Sequence, residues 1–179
     1  MGAYKHYDLE SIEISETLDV LSEIVKTGKV RHIALSNETP WGLSEFINKS
    51  ETKNLPRVQS VQNAYNLLNR TYEYGMSEFA HRSSVGLLAY SPLAQGYLSG
   101  KYLNGAMPKG SRTQLFGRGQ RYETPAAENS IKAYVDYAKK IGKDPSVMAN
   151  AFVNSREFVT SNIIGCLLYT SDAADDYIR

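Results

Sequence analysis

The stretch Val85–Tyr102, which reads VGLLAYSPLAQGYLSGKY, decides the fold class of this chain. It opens with the apolar run Val85–Ala89, which is short and bordered by turn-forming residues. Such a run is typical of a strand that is buried on both faces of a parallel sheet. The run gives way to a polar, proline-containing segment that begins at Tyr90. Because ligands bind at the carboxyl ends of strands in α/β folds, the stretch predicts a ligand site directly after Ala89.

The segment after this strand contains the residue types that suit a nucleotide cofactor. An aromatic ring, a hydroxyl group, an amide, two glycines and a cation are supplied by Tyr90, Ser91, Gln95, Gly96, Gly100 and Lys101. An aromatic face can stack on a ring, while backbone N–H groups and a lysine can bind phosphates. The alternative interpretation of the segment is an ordinary loop after a buried strand.

The rest of the chain alternates between strand and helix patterns. We expect strands near Val30–Leu35, Val58–Gln62, Val85–Ala89 and Ile163–Gly165. Helices are expected around Leu18–Val25, from Thr39-Pro40, over Tyr72–His81 and Ala126–Ile141, and from Asp144-Pro145. Regular alternation with short connections predicts an α/β fold whose strands are parallel and adjacent in chain order.

Local signals mark the ends of several helices. Thr39 and Asp144 are each followed by proline, which is typical of a capping residue before the first helical turn. Ser11 or Ser15 could cap the first helix, and Gly28 stands where a helix C-terminal glycine is expected. The segment Asn104–Thr124 shows no periodic pattern, and we expect a long loop there, which in a compact domain is usually functional or mobile.

Composition excludes several classes of protein. The net charge is +1 and the pI about 7.8, which gives no indication of binding to nucleic acid or to a membrane surface. No apolar run approaches the roughly 20 residues of a transmembrane helix. A single cysteine, Cys166, rules out an internal disulfide framework and a multi-cysteine zinc site. We therefore expect a cytoplasmic protein.

Three strand ends together resemble the aldo-keto reductases, a family of (β/α)8 barrels that reduce carbonyl compounds with NADPH. AYSPLAQGYLSGKY resembles the seventh strand and following loop of that family, and RHIALSN and SVQNAYNLL resemble the two preceding strand ends. The resemblance extends from about Glu16 to Gly165. It implies a partial (β/α)8 TIM barrel that comprises strands five to eight with their helices.

The resemblance also implies an NADP(H) site. Ser36, Asn37 and Gln62 would hydrogen-bond the nicotinamide carboxamide, and Tyr90 would stack on the nicotinamide ring. The phosphates would be lined by Ser91, Pro92, Leu93, Ala94, Gln95 and Lys101. Arg112, in KGSR, aligns with a family arginine near these phosphates, the alternative being a solvated loop arginine. We expect Arg118 and Arg121 to be solvent residues.

The chain is short for a whole barrel, since a closed barrel of this kind has about 250 residues and this chain has 179. We expect residues 1–165 to form the carboxyl-terminal half of the reductase domain. The family's catalytic Tyr, Lys, Asp and His come from the first four strands, so we assign no catalytic residue here. Residues 166–179, which begin CLLYTSDAAD, resemble a translated sequencing adapter and are expected to be a non-native tail. The alternative for this tail is a natural short helix.

These observations predict a fragment of an enzyme that reduces aldehydes or ketones with NADPH, so that its partner is a small carbonyl substrate. One alternative is a non-catalytic regulatory or interaction subunit that uses the same fold. Another is an unrelated (β/α) phosphate-binding barrel. Half a barrel leaves strand edges and apolar faces uncovered, which predicts poor solubility or dimerisation. Substrate identity and oligomeric state stay open.

Overall fold

A computed structural model describes residues 12–117 and 120–165 of the chain. Its centre is a four-stranded sheet in the order β1-β2-β3-β4, with every neighbouring pair parallel. The strands are β1 (Ile33–Ser36), β2 (Val58–Ala64), β3 (Gly86–Tyr90) and β4 (Val159–Ile163). The predicted α/β fold, with strands parallel and adjacent in chain order, is confirmed and is consistent with part of a (β/α)8 barrel. The expected tail, residues 166–179, lies outside the described residues.

Helices connect these strands. In the described ranges the α-helices are α1 (Ile14–Lys26), α2 (Pro40–Thr52), α3 (Met76–Arg82), α4 (Arg112–Phe116), α5 (Pro125–Lys140) and α6 (Pro145–Asn154). Thr39 Oγ1 accepts the Gly42 N–H at 3.1 Å, and Asp144 Oδ1 accepts the Ser146 N–H at 2.7 Å. Both cap-then-proline predictions are therefore confirmed. No described helix has the length and apolar character that crossing a membrane requires.

Several local predictions were wrong. The cap of α1 is Glu13, which makes no side-chain capping bond, and Ser15 lies inside the helix. The helix expected over Tyr72–His81 is interrupted at Gly75, whose φ of 79° places it in the left-handed region, so that α3 begins at Met76. Trp41, with Phe46 and Ile47 one of the large apolar residues that predict a buried face for α2, is instead 70% exposed.

The long segment between Asn104 and Thr124 is more ordered than expected. It contains α4 and a 3-10 turn at Gln120–Tyr122. The last predicted strand, near Ile163–Gly165, is shifted, because β4 ends at Ile163. These differences arise because the structure at these positions depends on tertiary contacts, which the local sequence pattern does not indicate.

Two apolar clusters hold the fold together. The first packs the sheet against α1, α2 and α3 through residues such as Leu18, Leu43, Val58, Val61 and Leu87, all with no exposed surface. The second lies under the segment that follows β3 and includes Tyr97, Leu98, Tyr102, Tyr122, Ile131 and Val135. This second cluster fastens the predicted cofactor loop to α5, so the loop is held by buried contacts of its own.

Candidate cofactor site

The carboxyl ends of β1 and β2 form one hydrogen-bonded edge. Ser36 and Gln62 are register partners across these strands. Ser36 Oγ donates to the Gln62 carbonyl at 3.2 Å, and the Asn37 backbone N–H donates to the same carbonyl at 3.0 Å. Asn37 turns out of β1 with a φ of 56°, a left-handed conformation that asparagine tolerates better than most residues. The structure therefore brings together the first three residues that the sequence assigned to the nicotinamide.

Tyr90, at the end of β3, is joined to the same edge. Its hydroxyl donates to Asn37 Oδ1 at 2.6 Å, and its side chain is half-buried. The ring makes no aromatic contact with any described residue. The carboxamide of Gln62 makes no hydrogen bond to the described part of the chain, and its side chain is half-buried too. These features fit a flat ligand that carries an amide.

The segment after Tyr90 has a strained backbone. Ser91, Ala94 and Gln95 have φ values of 57°, 49° and 60°, which lie in the left-handed region, and Gly96 follows with a φ of 94°. Non-glycine residues in this region each store of order 1–3 kcal/mol of strain, and they cluster at ligand-binding segments. Pro92 and Ala94 are buried, so their contribution to a ligand would come from the backbone.

Lys101 lies close to this strained turn. A Cβ added to Gly96 would lie 3.0 Å from Lys101 Cε, and the ammonium of Lys101 is 5.3 Å from the centroid of the Tyr102 ring. Its exposed side chain forms no ion pair with a described residue. Arg112 begins α4, is exposed, and lies 5.9 Å from the Phe116 ring centroid. Neither cation makes an ion pair with a residue in the described ranges.

Asn66 is a structural residue that the sequence reasoning missed. It has no exposed surface, and its Nδ2 donates to the Ser91 carbonyl at 2.9 Å and to the Tyr122 hydroxyl at 3.1 Å. Its Oδ1 accepts the N–H groups of Leu68 and Asn69, each at 2.9 Å. One buried amide thus joins three segments, those after β2 and β3 and the long segment before α5. The regular spacing of asparagines at 63, 66 and 69 is a signal that could have indicated it, because asparagine satisfies turn N–H groups.

Arg121 is exposed to solvent, as predicted, and it also lies beside the candidate site. Although its side chain is exposed, it borders a polar cavity of about 250 Å³ together with Asn37, Glu38, Asn63, Ala64, Asn69, Thr71, Tyr72 and Tyr90. Hydrogen bonding to the Tyr90 hydroxyl is the main cause that raises the pKa of Arg121 above its ordinary value. It therefore shares this cavity with Asn37 and Tyr90. Arg118 lies outside the described residues.

The cavity is bordered by residues from both faces of β2, Asn63 and Ala64. Asn63 and Gln62 are consecutive residues of β2 and point to opposite faces of the sheet. Asn63 Nδ2 donates to the Glu38 carbonyl at 2.9 Å, which holds the segment after β1 in place. The Tyr90–Asn37 pair is thus part of the wall of the polar cavity. Among the described residues no cluster of His, Cys, Asp and Glu could hold a metal ion.

Known proteins are similar to this chain over most of its length. The family model described as Aldo/keto reductase family matches residues 3–171. The chain is 44% identical to "Protein tas" of Escherichia coli (strain K12) over 87% of this chain and 45% of that protein. It is 36% identical to an "Aldo-keto reductase" of Babesia bovis, over 88% of this chain and 58% of that protein. It is 32% identical to "L-glyceraldehyde 3-phosphate reductase" of Escherichia coli (strain K12), over 90% of this chain and 48% of that protein. The chain thus spans about half the length of the curated relatives it matches.

Proposed function

We propose, because this chain belongs to the aldo/keto reductase family, that it supplies the nicotinamide-binding side of an NADPH-dependent carbonyl reductase. The whole protein would reduce an aldehyde or a ketone of small size. The observation that carries the proposal is the cluster of Asn37, Gln62 and Tyr90 at the carboxyl ends of three parallel strands.

The residues of this cluster fit the cofactor. The open amide of Gln62 and the remaining hydrogen-bonding capacity of Ser36 and Asn37 suit a carboxamide. The ring of Tyr90 is held by its hydroxyl, which leaves a face for stacking. These groups would fix the orientation of the nicotinamide, so that one ring face points toward the substrate.

The phosphates would be bound by the strained segment that follows. Backbone groups between Ser91 and Gln95 would approach the pyrophosphate, with Lys101 and Arg112 supplying positive charge. NADPH would supply the hydride, while the buried cluster beneath the loop would keep the loop folded over the cofactor. We assign the family's proton donor, a tyrosine supported by Lys, Asp and His, to the preceding barrel strands. No residue of this chain receives that role.

A titration tests the proposal. NADPH fluorescence is followed as the 179-residue chain is added, and a panel of aldehydes is assayed in parallel. We expect weak binding, about millimolar or ~4 kcal/mol, and no carbonyl reduction by this chain. Tyr90→Ala should weaken binding about fivefold through lost stacking, whereas Tyr137→Ala, at an exposed position, should not. Equal binding by all three proteins would contradict the assigned site, and turnover by the chain would contradict the placement of the proton donor elsewhere.

We also propose that residues 1–165 are the native part of the domain and that residues 166–179 are a non-native tail. Removing the tail should leave the free energy of unfolding unchanged within about 0.5 kcal/mol, as for featureless surface changes. Urea denaturation of the shortened and the complete chain measures this. A loss of several kcal/mol would contradict the proposed boundary.

A further inference from the structure

We propose that a second cavity, between the segment that follows β3 and the start of α5, is a binding site for a small organic amine. The cavity has a volume of about 280 Å³. The residues that border it and carry the argument are Tyr97, Tyr102, Tyr122, Glu123, Glu128 and Ile131. None of the residues assigned to the cofactor borders this cavity, so the inference does not depend on the proposed function.

Buried tyrosine rings and an isoleucine form the inner wall of this cavity. Tyr97, Tyr102, Tyr122 and Ile131 belong to the second apolar cluster, and each is at most 5% exposed. The ring centroid of Tyr97 is 4.8 Å from that of Tyr102 and 6.0 Å from that of Tyr122. Grouped aromatic rings attract organic cations, because the face of each ring carries partial negative charge. This wall therefore suits a ligand with an apolar body and a cationic end.

Two carboxylates border the same cavity. Glu123 is half-buried, and its Oε1 accepts the Tyr97 hydroxyl at 2.8 Å, a bond that leaves the negative charge of the carboxylate in place. Glu128 lies in the first turn of α5, is exposed, and forms no ion pair with a described residue. No lysine, arginine or histidine of the described ranges borders the cavity. Glu128 is therefore available as the counterion of a bound ammonium group.

The cations that are nearest in sequence lie outside this cavity. Arg121 borders the polar cavity at the edge of the sheet, and Lys132 pairs with Asp136 at 2.7 Å. The ammonium of Lys101 is 5.3 Å from the centroid of the Tyr102 ring, although Lys101 does not border the cavity. The ring of Tyr102 thus already attracts one ammonium group of the protein.

The Tyr102 hydroxyl gives a further reason to expect a polar ligand. It is buried and has no hydrogen-bond partner in the described part of the chain. A buried polar group without a partner is costly, and phenylalanine would supply the same ring without that cost. An ammonium group has three N–H donors, so a bound amine would supply the donor that this oxygen lacks.

The size of the cavity limits the ligand. Its volume lies just below the range of about 300–1,000 Å³ that is usual for pockets of drug-sized ligands. It therefore suits an amine with one ring or a short alkyl chain. The apolar body would contact the tyrosine rings and Ile131, with the ammonium toward Glu128. A neutral ligand of the same shape would gain the apolar contacts without the attraction between charges.

Benzylamine and benzyl alcohol test this distinction, because they have nearly the same size and differ in charge at neutral pH. Each is titrated into the isotope-labelled 179-residue chain, and amide chemical shifts give both the dissociation constant and the place of binding. We expect benzylamine to shift the amides of Leu103, Gly105 and Ile131 and to bind about threefold more tightly than benzyl alcohol, or better. Sodium chloride at about 0.5 M should remove most of this difference, since salt screens exposed charges.

Two results of this titration would overturn the inference. Equal affinity for benzylamine and benzyl alcohol at low salt would overturn the preference for a cation. Shifts confined to other parts of the chain would overturn the site itself. Because both measurements use the unmodified chain, neither depends on whether a variant folds.

Matched variants identify the groups that bind the amine. Glu128→Gln is compared with Glu16→Gln, because Glu16 is also an exposed carboxylate in the first turn of a helix and does not border the cavity. We expect Glu128→Gln to raise the dissociation constant of benzylamine about two- to fivefold and to leave that of benzyl alcohol unchanged, while Glu16→Gln changes neither. An unchanged affinity in Glu128→Gln would overturn the role of this carboxylate.

A third variant tests the buried hydroxyl. Tyr102→Phe keeps the ring and should weaken benzylamine binding about two- to fivefold through the lost hydrogen bond. Unchanged benzylamine binding in Tyr102→Phe would overturn the contact with the hydroxyl. NADPH affinity should be the same in Glu128→Gln as in the wild type, and a loss of NADPH binding there would overturn the independence of the two sites.

Discussion

The Tyr90 hydroxyl lies 2.6 Å from Asn37 Oδ1, although the two residues leave strands that are not neighbours. β2 lies between β1 and β3 in the sheet. Asn37 is held against β2 by its backbone N–H, which donates to the Gln62 carbonyl at 3.0 Å. The pair therefore spans the end of β2 and fixes the ends of three strands relative to one another.

Removing this bond should cost stability as well as affinity. Tyr90→Phe is expected to lower the free energy of unfolding by about 0.5–1.5 kcal/mol, the usual net contribution of one such hydrogen bond. Urea denaturation measures the change, with Tyr137→Phe as the control because Tyr137 is 56% exposed. An equal effect of both substitutions would show that the bond to Asn37 contributes nothing.

The close approach of Lys101 to Gly96 predicts a second effect. Gly96→Ala must tolerate a left-handed backbone with φ of 94° and a Cβ lying 3.0 Å from Lys101 Cε. We expect a loss of about 1–2 kcal/mol of stability and weaker NADPH binding, since Lys101 must move. Gly28→Ala is a matched control, because Gly28 has a φ of 75° and no neighbour within 4 Å of an added Cβ. Gly28→Ala should lower the free energy of unfolding through backbone strain alone and should leave NADPH binding unchanged.

Asn66 should be among the positions most sensitive to substitution. Asn66→Ala removes four hydrogen bonds of a buried amide and leaves the Leu68 N–H without its acceptor and the Tyr122 hydroxyl without this donor. The Asn69 N–H and the Ser91 carbonyl keep backbone partners, the Asn66 carbonyl and the Ala94 N–H. Because such groups are costly when buried and unpaired, we expect a loss of about 2–4 kcal/mol. Tyr122→Phe removes just one of these bonds and should cost about 1 kcal/mol. Chemical denaturation compares the two, and equal losses would contradict the central role of Asn66.

Tyr72 predicts a dependence on alkaline pH. Burial raises its pKa from 10.0 to about 12, and its buried hydroxyl has no hydrogen-bond partner among the described residues. Since the folded chain keeps the phenol proton longer than the unfolded chain does, this tyrosine's contribution to stability is full below pH 10 and falls between pH 10 and about 12. Tyr72→Phe should remove this tyrosine's share of the decline, while Tyr65, whose pKa is also raised by burial, continues to contribute.

The same substitution should not destabilise the chain at neutral pH. Replacing an unpaired buried hydroxyl by hydrogen is expected to be neutral or to stabilise by up to about 1 kcal/mol. Thermal denaturation at pH 7 and pH 11 measures both effects. Tyr74→Phe, at a position that is 81% exposed, is the control and should change neither value. A stability loss at pH 7 in Tyr72→Phe would show that the hydroxyl has a partner.

The sheet could be predicted from sequence because its signals are local. Buried strands read as short apolar runs, and Thr39-Pro40 and Asp144-Pro145 each combine a capping side chain with a fixed φ. Gly75 was harder to interpret, because a glycine within a helical pattern can be tolerated or can end the helix, and the sequence pattern does not decide between the two. The exposure of Trp41 likewise depends on what packs against α2.

The site could be predicted in part for a related reason. Residues that directly follow strands, such as Asn37 and Tyr90, are brought together by the parallel sheet itself. Arg121 comes from a segment without periodicity, and its position depends on the bond between Tyr122 and Asn66, which are 56 residues apart. No local pattern indicates the contact between Tyr122 and Asn66. The sequence therefore shows that position 121 is a cation but not that it lies near Tyr90.

These long sequence separations also govern when the site can form during folding. The Ser36–Gln62 bond closes a separation of 26 residues, the Asn37–Tyr90 bond 53 and the Asn66–Tyr122 bond 56. Loops of this length lose entropy on closure before their contacts compensate, so such contacts form slowly and together with the sheet. Individual helices can form early, but the aromatic ring, the amides and the arginine reach their places when the chain from β1 to the turn before α5 has assembled. Binding of a ligand at this edge of the sheet would therefore report on the folding of that whole region.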